Sequence, residues 1–555
     1  MKRKNIVFKA LTCGLASLAF TACTDTWESH YQPKEELNAT ETLWDLIQSD
    51  AELSQFAEFV KATGYDELLS QNRFYTVWAP VDGSEFFTTH SLEGISDSMI
   101  NVYKVEFVEN HIADYNHTAT GTMNDNQVKM LNGKYNRFEG AVGNYTFKKV
   151  PVKATNIAAK NGLLHKAENS AVFTANVWEQ LAKESSISML NSFLKSYDEI
   201  EFDEYNSVQG PMVNGQVTYL DSVVNEDNDW FDRFGQLNRE DSSYTMFAPT
   251  NKAWQEIYDK AKNYFVYSED TPSRDSLQDV MTKDFLCRHL VFSNTIQKSP
   301  EDSLVSYCYS LMNGYNMRER EVFKYEERDR LYDNLVQSLE LSNGTLNIVD
   351  SYNYKYFWHD TIRIEGESLF GAAEGLDGTL AEYKTSTKSY ATISKDSVEK
   401  YYQTSNGNIG VYTNSTPTGN PTLTYTLKNT LSAKYRIKVV IVPAHFVNWK
   451  DTTYMPNKVS ASLYYKELNG KKSKKVELLK KFETNPYKVD TLTLIPSKAE
   501  EGVDYIEFPV NEFNLDANTT TVAQLEIKGD VGAREKGFDR IIRIDQVFLE
   551  PVTEE

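Results

Sequence analysis

A six-residue block occurs twice in the chain, and this repeat constrains the fold more than any other feature of the sequence. The first copy is Tyr75-Thr-Val-Trp-Ala-Pro80 and the second is Tyr244-Thr-Met-Phe-Ala-Pro249. Two further pairs of segments follow in the same order: Asn110–Ile112 with Arg288–Leu290, and Asn161–His165 with Asn343–Asn347. The segments are more widely spaced in the second copy. The sequence therefore predicts two copies of one domain, the second carrying insertions.

Each block has the composition of a buried strand with a fixed end. Its apolar residues stop at an Ala-Pro pair, and proline cannot donate to a strand ladder. Asn161-Gly162 and Asn343-Gly344 are strong turn signals, since both permit positive φ before a final apolar strand. Upstream of the first block, apolar residues at three- and four-residue steps predict amphipathic helices over residues 40–70, with a capping-box-like start at Asn38–Glu41.

Together the three repeated blocks resemble the fasciclin domain, whose first motif reads like YTVFAPTN and whose last reads like NGVIHVID. The second copy is the better match in its first block and departs from the family at Asn347, where histidine is expected. The resemblance covers roughly residues 38–350 and divides them into domains at 38–176 and 177–356. It implies an α+β fold, a β-sandwich or wedge with flanking helices, that has no catalytic residues and serves adhesion or partner binding.

Residues 357–555 show a different pattern, with short runs in which apolar and polar residues alternate. Period two with turn residues such as Asn469-Gly470 between the runs predicts an antiparallel β-sandwich. The order of the runs loosely resembles galactose-binding-like jelly rolls, which implies carbohydrate binding through exposed aromatics such as Tyr401, Tyr402 or Trp449; core packing is the alternative. A lysine-rich stretch predicts a solvated hairpin: Lys466, Lys471, Lys472, Lys474, Lys475, Lys480 and Lys481.

The N-terminus reads as an export signal. Lys2, Arg3 and Lys4 precede an apolar run of about ten residues, too short for a membrane span of roughly 20. Ala22 followed by Cys23 resembles the lipobox of bacterial lipoproteins, which implies a signal peptide over 1–22, acyl chains on Cys23 and a polar tether over 23–37. Asp25 and Glu28 resemble the acidic stretch that sends Bacteroides-type lipoproteins to the cell surface. We therefore expect a lipid-anchored, surface-exposed protein of the outer membrane.

The acidic balance excludes one class of partner. The 555 residues hold 58 Lys and Arg against 79 Asp and Glu, a formal charge of -21. Removal of residues 1–22 takes away four bases and no acid, which leaves about -25. A chain of this charge repels phosphate backbones, so nucleic acid is not an expected partner.

Candidate metal ligands and thiols lead to structural interpretations. His111, His165 and His289 do not stand at the spacing of a metal site and have no nearby Cys ligand, so we expect structural histidines and no metal or cofactor. Cys287 and Cys308 are either a disulfide or two buried free thiols.

Two polar excursions interrupt the second copy. Residues 225–241 are acidic with embedded aromatics, and form either a binding loop or a solvated excursion whose aromatics pack back on the domain. Residues 313–330 are rich in Arg and Glu and predict a surface helix.

Eight Asp-Ser/Thr triads resemble the O-glycosylation sequon of Bacteroides-type exported proteins. We expect glycans on several of the hydroxyl residues Ser98, Ser222, Ser276, Ser303, Thr361, Ser397, Thr452 and Thr491.

Enzyme signatures such as GxSxG, HExxH, a P-loop or CxxC are not found in the sequence, so no catalytic residue is expected. Paired carboxylates stay open as an alternative, since spacing in sequence does not give separation in space. The leading hypothesis is a non-catalytic surface lipoprotein. Fasciclin lipoproteins of this build resemble auxiliary components of starch-utilisation-like uptake systems, which implies a TonB-dependent transporter and its lid lipoprotein as partners and an oligosaccharide or peptide as ligand. Two alternatives stay open: adhesion to a host, matrix or neighbouring cell, and a stand-alone glycan-binding protein.

Overall fold

The computed structural model describes residues 39–213, 215–293, 303–309, 320–324, 326–352, 357–367, 387–392, 404–405, 408–414, 416–427, 430–447, 452, 454–470, 474–511 and 523–553. The signal and tether predicted over 1–37, together with Cys23, lie outside these residues, as do Ser397, Tyr401, Tyr402 and Trp449. The chain forms two compact units, Met1–Ala175 and Asn176–Glu555. Within the described residues, no helix has the length and apolarity needed to cross a membrane.

Unit 1 is a curled sheet with helices on one side. Its helices are α1 Leu43–Ser49, α2 Ser54–Ala62, α3 Tyr65–Leu69, α4 Glu85–Thr89 and α5 Asp97–Tyr103, the last continued by a π-helical turn at Lys104–Val108 and a 3₁₀ turn at Glu109–His111. Its strands are β1 Tyr75–Pro80, β2 Ile112–Asp114, β3 Gln127–Lys129, β4 Tyr135–Ala141, β5 Asn144–Phe147, β6 Val150–Ala159 and β7 Gly162–Ala167. The helices predicted over residues 40–70 are confirmed. Their capping box, however, uses Thr42 and Asp45 instead of Asn38–Glu41.

The block strand β1 lies inside the sheet, whose order is β2-β1-β7-β6-β5-β4-β3. It runs parallel to β7 and antiparallel to β2. Alternate residues of β1 supply two cores: Tyr75 and Val77 pack with the helices, while Trp78 packs on the opposite face with Phe138 and Phe147. Because successive side chains of β1 point to opposite faces of the sheet, this one strand contributes to both cores of the unit.

Unit 2 begins with the second copy of the domain that carries the block, which we call the block domain. Its helices are α6 Val177–Leu181, α7 Ser188–Lys195, α8 Asp229–Phe234, α9 Asn251–Ala261, α10 Arg274–Cys287, α11 Glu326–Leu331 and α12 Ala444–Val447, with 3₁₀ turns at Ser185–Ile187, Lys262–Tyr264 and Phe357–His359. The first strands are β8 Asp198–Val213 and β9 Gln216–Asn228, which pair with each other, and then β10 Tyr244–Pro249, β11 Val291–Ser293, β12 Ser303–Tyr309, β13 Arg320–Lys324, β14 Leu335–Leu341 and β15 Gly344–Val349. The last six form a sheet of order β13-β12-β11-β10-β15-β14.

The rest of unit 2 consists of two antiparallel sheets. Its strands are β16 Ile362–Glu365, β17 Thr387–Thr392, β18 Asn408–Thr413, β19 Thr422–Thr426, β20 Lys434–Ile441, β21 Lys458–Tyr465, β22 Lys474–Glu483, β23 Asp490–Leu494, β24 Ile506–Glu507, β25 Gln524–Gly529 and β26 Ile542–Pro551. One sheet has the order β17-β18-β26-β20-β23, with β16 and β24 attached, and the other is β19-β25-β21-β22. Alternating residues of both sheets enter a common core, which confirms the predicted antiparallel β-rich architecture.

That core extends into the second copy of the block domain. Tyr264 stacks on Trp358 with ring centroids 4.8 Å apart, and Phe357 packs on both Phe265 and Phe285. Residues on either side of position 357 therefore share one hydrophobic core.

An asparagine clamp recurs in both copies. The Asn161 side chain accepts from Leu43 N (2.8 Å) and donates to the carbonyls of Leu69 (2.8 Å) and Gln71 (2.7 Å). In the second copy, Asn343 accepts from Val177 N (2.9 Å) and donates to the carbonyls of Leu237 and Arg239, both at 2.8 Å. Each clamp ties the first helix of its copy and the chain before the block to the turn ahead of the parallel strand.

The glycine after each clamp is required by close packing. Gly162 pairs with Tyr75 and Gly344 pairs with Tyr244, in the same parallel register. Both have positive φ, and a Cβ on either would overlap the carbonyl oxygen of its tyrosine partner. In each Asn-Gly pair the asparagine thus forms the clamp, and the glycine lets the backbone pass close to a tyrosine carbonyl. Both act in addition to the turn predicted from the sequence.

Strand register corrects one detail of the sequence comparison. Ile112 lies opposite Val77, and Val291 lies opposite Met246. Position 111 therefore corresponds to Leu290 instead of His289, although His165 and Asn347 do correspond, opposite Trp78 and Phe247.

His111 and His165 of the first copy are buried and bonded to backbone. His111 Nδ1 donates to Phe107 O (2.7 Å) while its Nε2 accepts from Ala171 N (2.9 Å). His165 Nε2 donates to His117 O (3.0 Å) while its Nδ1 accepts from Asn156 N (3.3 Å). Burial lowers the pKa of each to about 4, because the charged ring is desolvated. Each ring is neutral and structural in the folded state.

The first prediction concerns the clamps. Asn161→Ala and Asn343→Ala each remove three hydrogen bonds, two of them buried, so each should destabilise its own copy by about 3 kcal/mol. Hydrogen exchange measured by mass spectrometry on peptides covering 75–80 and 244–249 reports the copies separately. The exposed Asn144→Ala is the matched control and should change neither peptide. Equal exchange in Asn161→Ala and Asn144→Ala would contradict the role of the clamp.

The second prediction concerns acid stability. The pKa values of His111 and His165 are lower in the folded chain than in the unfolded chain, so below about pH 6.5 the unfolded state binds more protons and stability falls until about pH 4. At pH 5 each histidine should cost unit 1 about 2 kcal/mol relative to pH 7.5. His165→Asn, which copies Asn347, should remove half of this loss in hydrogen exchange of peptide 162–167. An unchanged pH dependence of exchange in His165→Asn would contradict the role of His165 in acid destabilisation.

Candidate ligand-binding cleft

An open cleft lies in unit 2, where the β21–β22 turn and the chain before and after β24 face the segment that precedes α10. Its volume is about 1150 Å³. The lining residues are Glu269, Tyr465, Glu467, Leu468, Asn469, Lys475, Val476, Glu477, Pro496, Ser497, Lys498, Val503, Tyr505, Ile506, Glu507 and Pro509.

One wall is the turn between β21 and β22, held in place by the second copy of the block domain. Glu269 N donates to Leu468 O (2.8 Å), and Lys466 Nζ forms an ion pair with Asp270 (2.8 Å). Gly470 has positive φ, and a side chain there would overlap Asp270. Glu269 and Asp270, about 200 residues earlier in the chain, therefore fix this turn.

The opposite wall is residues 496–509. Ser497 N donates to Glu477 O (2.9 Å), which attaches the wall to β22. Further along, Ile506 pairs with Tyr435 of β20. Phe508 N donates to Ala433 O (2.9 Å), and its ring packs on Tyr435. The cleft is thus bounded on both sides by segments bonded to regular strands.

The cleft combines aromatic rings with carboxylates. Burial raises the pKa of Tyr465, and the nearby Glu467 and Glu507 raise it further, so the phenol stays protonated at neutral pH and can donate a hydrogen bond. Tyr505 is half-buried, with Lys434 Nζ 5.3 Å from its ring centroid. A hydrogen bond to Tyr464 and nearby glutamates raise the pKa of Lys475.

This chemistry suits recognition of a polar ligand. Half-buried rings offer apolar contact area, and carboxylates, phenols and ammonium groups offer directed hydrogen bonds. The lining, which consists only of described residues, includes no histidine and no cysteine.

Sequence reasoning did not identify this cleft. The alternating pattern predicts only strands in this region, and the lysines predict a solvated hairpin. The hairpin is confirmed by pairing of β21 with β22, but Lys466 is bonded to Asp270 instead of solvated. Lys471 and Lys472 lie outside the described residues. The Asn469-Gly470 turn was the available signal, although nothing in the sequence links it to Glu269.

The hydroxyl residues predicted to carry glycans differ in accessibility. Ser222 lies in β9 and Ser397 outside the described residues. Thr361 is half-buried, and Ser303 is buried in β12, where a folded chain offers no room for a glycan. The exposed members of the set are Ser98, Ser276, Thr452 and Thr491.

The two cysteines of the folded part are free, buried thiols. Cys308 Sγ donates to Arg233 O (3.3 Å), and burial raises its pKa to about 11. Burial raises the pKa of Cys287 as well. Of the two interpretations of this pair, the structure has the unpaired one, with neither thiol activated.

The two excursions of the second copy resolve differently from each other. Trp230, Phe231 and Phe234 are buried, so the acidic stretch 225–241 packs its aromatics back on the domain, the second of the two interpretations. The helix predicted over 313–330 is wrong in part: Arg320–Lys324 is a strand paired with β12, and only Glu326–Leu331 is helical. Residues 313–319 lie outside the described residues.

Comparison with known proteins gives one family match. Residues 51–169 match the model of the fasciclin domain. A comparison with curated protein sequences gives no match.

Three solved structures show remote likeness. A domain pair from the insect cell adhesion molecule Fasciclin I is 15% identical, with 54% of this chain and 96% of that chain covered and a TM-score of 0.20. Carbohydrate-binding modules from the β-sandwich superfamily are 12% identical (47% and 89% covered, TM-score 0.17). An exo-β-1,3-galactanase from Phanerochaete chrysosporium is 9% identical (79% and 96% covered, TM-score 0.17). At TM-scores this low these structures carry no argument, so the resemblance to the fasciclin domain rests on the family model that residues 51–169 match.

Proposed function

We propose that the chain is a non-catalytic, lipid-anchored binding protein of the cell surface, and that it serves as an accessory component of a TonB-dependent transporter and its lid lipoprotein. The observation that carries the binding role is the cleft, an open site lined by aromatic and carboxylate groups. The fasciclin domain at 51–169 supports a binding or adhesive role for the chain. The Cys23 motif supports the anchor.

The proposal includes a second fasciclin domain over 177–356 and a jelly-roll-like sandwich over 357–555. The second copy is supported by the matching clamp at Asn343, the close approach of Gly344 and the same parallel register as in the first copy. The sandwich is supported by two antiparallel sheets with a common core.

The ligand of the cleft is an oligosaccharide or a peptide. A volume of about 1150 Å³ exceeds the pockets of about 300–1,000 Å³ that hold small ligands, and an open cleft admits a chain of several units. Tyr465 and Tyr505 supply rings for sugar faces or apolar side chains. Glu467, Glu477 and Glu507 supply acceptors for hydroxyls or amides.

The third prediction tests the cleft. Tyr505→Ala and Glu507→Gln in the full-length chain should each weaken ligand binding about tenfold, since each removes a contact worth roughly 1.4 kcal/mol. Glycan and peptide arrays identify the ligand, and calorimetry measures the loss. Tyr487→Ala is the matched control, because Tyr487 is 67% exposed and does not line the cleft. Equal loss in the control, or no loss in the cleft variants, would remove the cleft from the proposal.

The fourth prediction tests the partner. The chain extracted in detergent from native outer membranes should co-purify with a TonB-dependent transporter and its lid lipoprotein. Cys23→Ala should release the chain from the membrane fraction because the acyl chains are lost. Recovery of the anchored chain without any transporter would count against the uptake role.

Adhesion is the second candidate, favoured by the fasciclin domain at 51–169. If adhesion is the function, deletion of the gene should impair attachment to host, matrix or neighbouring cells and leave growth on single nutrients unchanged. The uptake role requires the opposite pattern. Binding in the cleft without either phenotype would favour a stand-alone glycan-binding protein.

A further inference from the structure

A long β-hairpin, Asp198–Asn228, forms a sheet of its own within unit 2. Neither of its strands, β8 and β9, pairs with any third strand in the described part of the chain. At about 3.3 Å per residue, the 13 residues of the shorter strand reach roughly 40 Å. We call this hairpin the acidic arm.

The root of the acidic arm is firmly built into unit 2. Asn228 is buried, and its Nδ2 donates to Leu194 O (3.0 Å) and to Asp198 Oδ1 (2.7 Å). The Tyr197 hydroxyl donates to Asp284 (2.6 Å), which also forms an ion pair with Arg233 (2.7 Å). The arm therefore starts from a fixed position.

The charge of the acidic arm is one-sided. Its sequence contains eight carboxylates and neither lysine nor arginine: Asp198, Glu199, Glu201, Asp203, Glu204, Asp221, Glu226 and Asp227. Glu199 and Asp227 are exposed and stand directly opposite each other across the two strands. Like charges at paired positions repel, so the arm is destabilised by its own charge until cations approach it.

Exposed apolar side chains accompany this charge. Tyr205 is 95% exposed and Met212 is 68% exposed, and Phe202 is exposed among the carboxylates. Isolated two-stranded hairpins are marginally stable in water, and an open sheet edge invites pairing with another chain. Edge protection alone would explain the carboxylates, but it gives no reason to expose aromatic residues beside them.

We infer that the acidic arm is a docking element for a protein partner that presents a lysine- and arginine-rich surface. The carboxylates pair with the basic groups of the partner and thereby lose their mutual repulsion. Tyr205 and Phe202 contribute the apolar contact area that an interface needs at its centre. The inference does not depend on the cleft or on the identity of the transporter.

Site-specific photo-cross-linking in native cells tests this inference. A photoreactive amino acid replaces Tyr205 in the full-length chain, and a second variant carries it at Tyr115, which is 74% exposed and lies outside the arm. We expect a protein adduct from position 205 that position 115 does not give. Mass spectrometry of the adduct should identify a partner segment with an excess of Lys and Arg.

A second experiment uses variants in which carboxylates of the acidic arm are neutralised. Glu199→Gln, Glu201→Gln and Asp227→Asn together should reduce the adduct at least fivefold, as should an increase of salt from about 0.1 to 0.5 M. Glu58→Gln, Glu67→Gln and Glu93→Gln change the net charge equally in unit 1 and should leave the adduct unchanged. Unaltered hydrogen exchange of peptide 244–249 will show that the arm variant remains folded.

Three results would overturn the inference: no adduct at position 205 above that at 115, an adduct with lipid or glycan instead of protein, or an adduct that survives neutralisation of the arm. If the transporter does not co-purify but a basic partner is still captured at position 205, only the uptake role is rejected.

Discussion

The parallel pairing of each block strand with the strand after the Asn-Gly turn organises both repeats. A parallel pair needs a long connection, so nearly the whole copy lies between its two members. The clamps at Asn161 and Asn343 close that connection by joining the first helix, the chain before the block and the turn. Because most of their partners are buried backbone groups, which are costly to leave unpaired, the clamps fix the register on which the two cores depend.

The two copies share this strand pairing and clamp, but they differ in the side chain at the position of His165 and Asn347. In the first copy, His165 lies against Trp78, and both of its nitrogens bond to backbone. In the second, Asn347 takes the same register position and accepts from Ser338 at 2.8 Å. A smaller polar residue is accepted because the surrounding core differs, whereas the clamp and its glycine are retained because they act on the backbone.

Local patterns in the sequence predicted local structure well. The block strands, the helices of 40–70 and the alternating runs after 357 follow from periodicity and from Ala-Pro and Asn-Gly signals. The charge pattern of Arg320–Lys324 suits both a surface helix and an edge strand. The segment is a strand because it pairs with β12. The cleft depends on the hydrogen bond between Glu269 and Leu468, which joins residues about 200 positions apart and which no local pattern encodes.

The cleft and the acidic arm both belong to unit 2 and depend on its shared core. The stack of Tyr264 on Trp358 and the packing of Phe357 on Phe285 bind the second repeat to the sandwich. Glu269 and Asp270 lie shortly after Tyr264, so this stack sets the position from which they hold the β21–β22 turn. The acidic arm leaves the same repeat from a root tied to Asp284 of α10, the helix that also carries Phe285. One continuous core thus positions both the cleft and the acidic arm, and a change in that core would reach both.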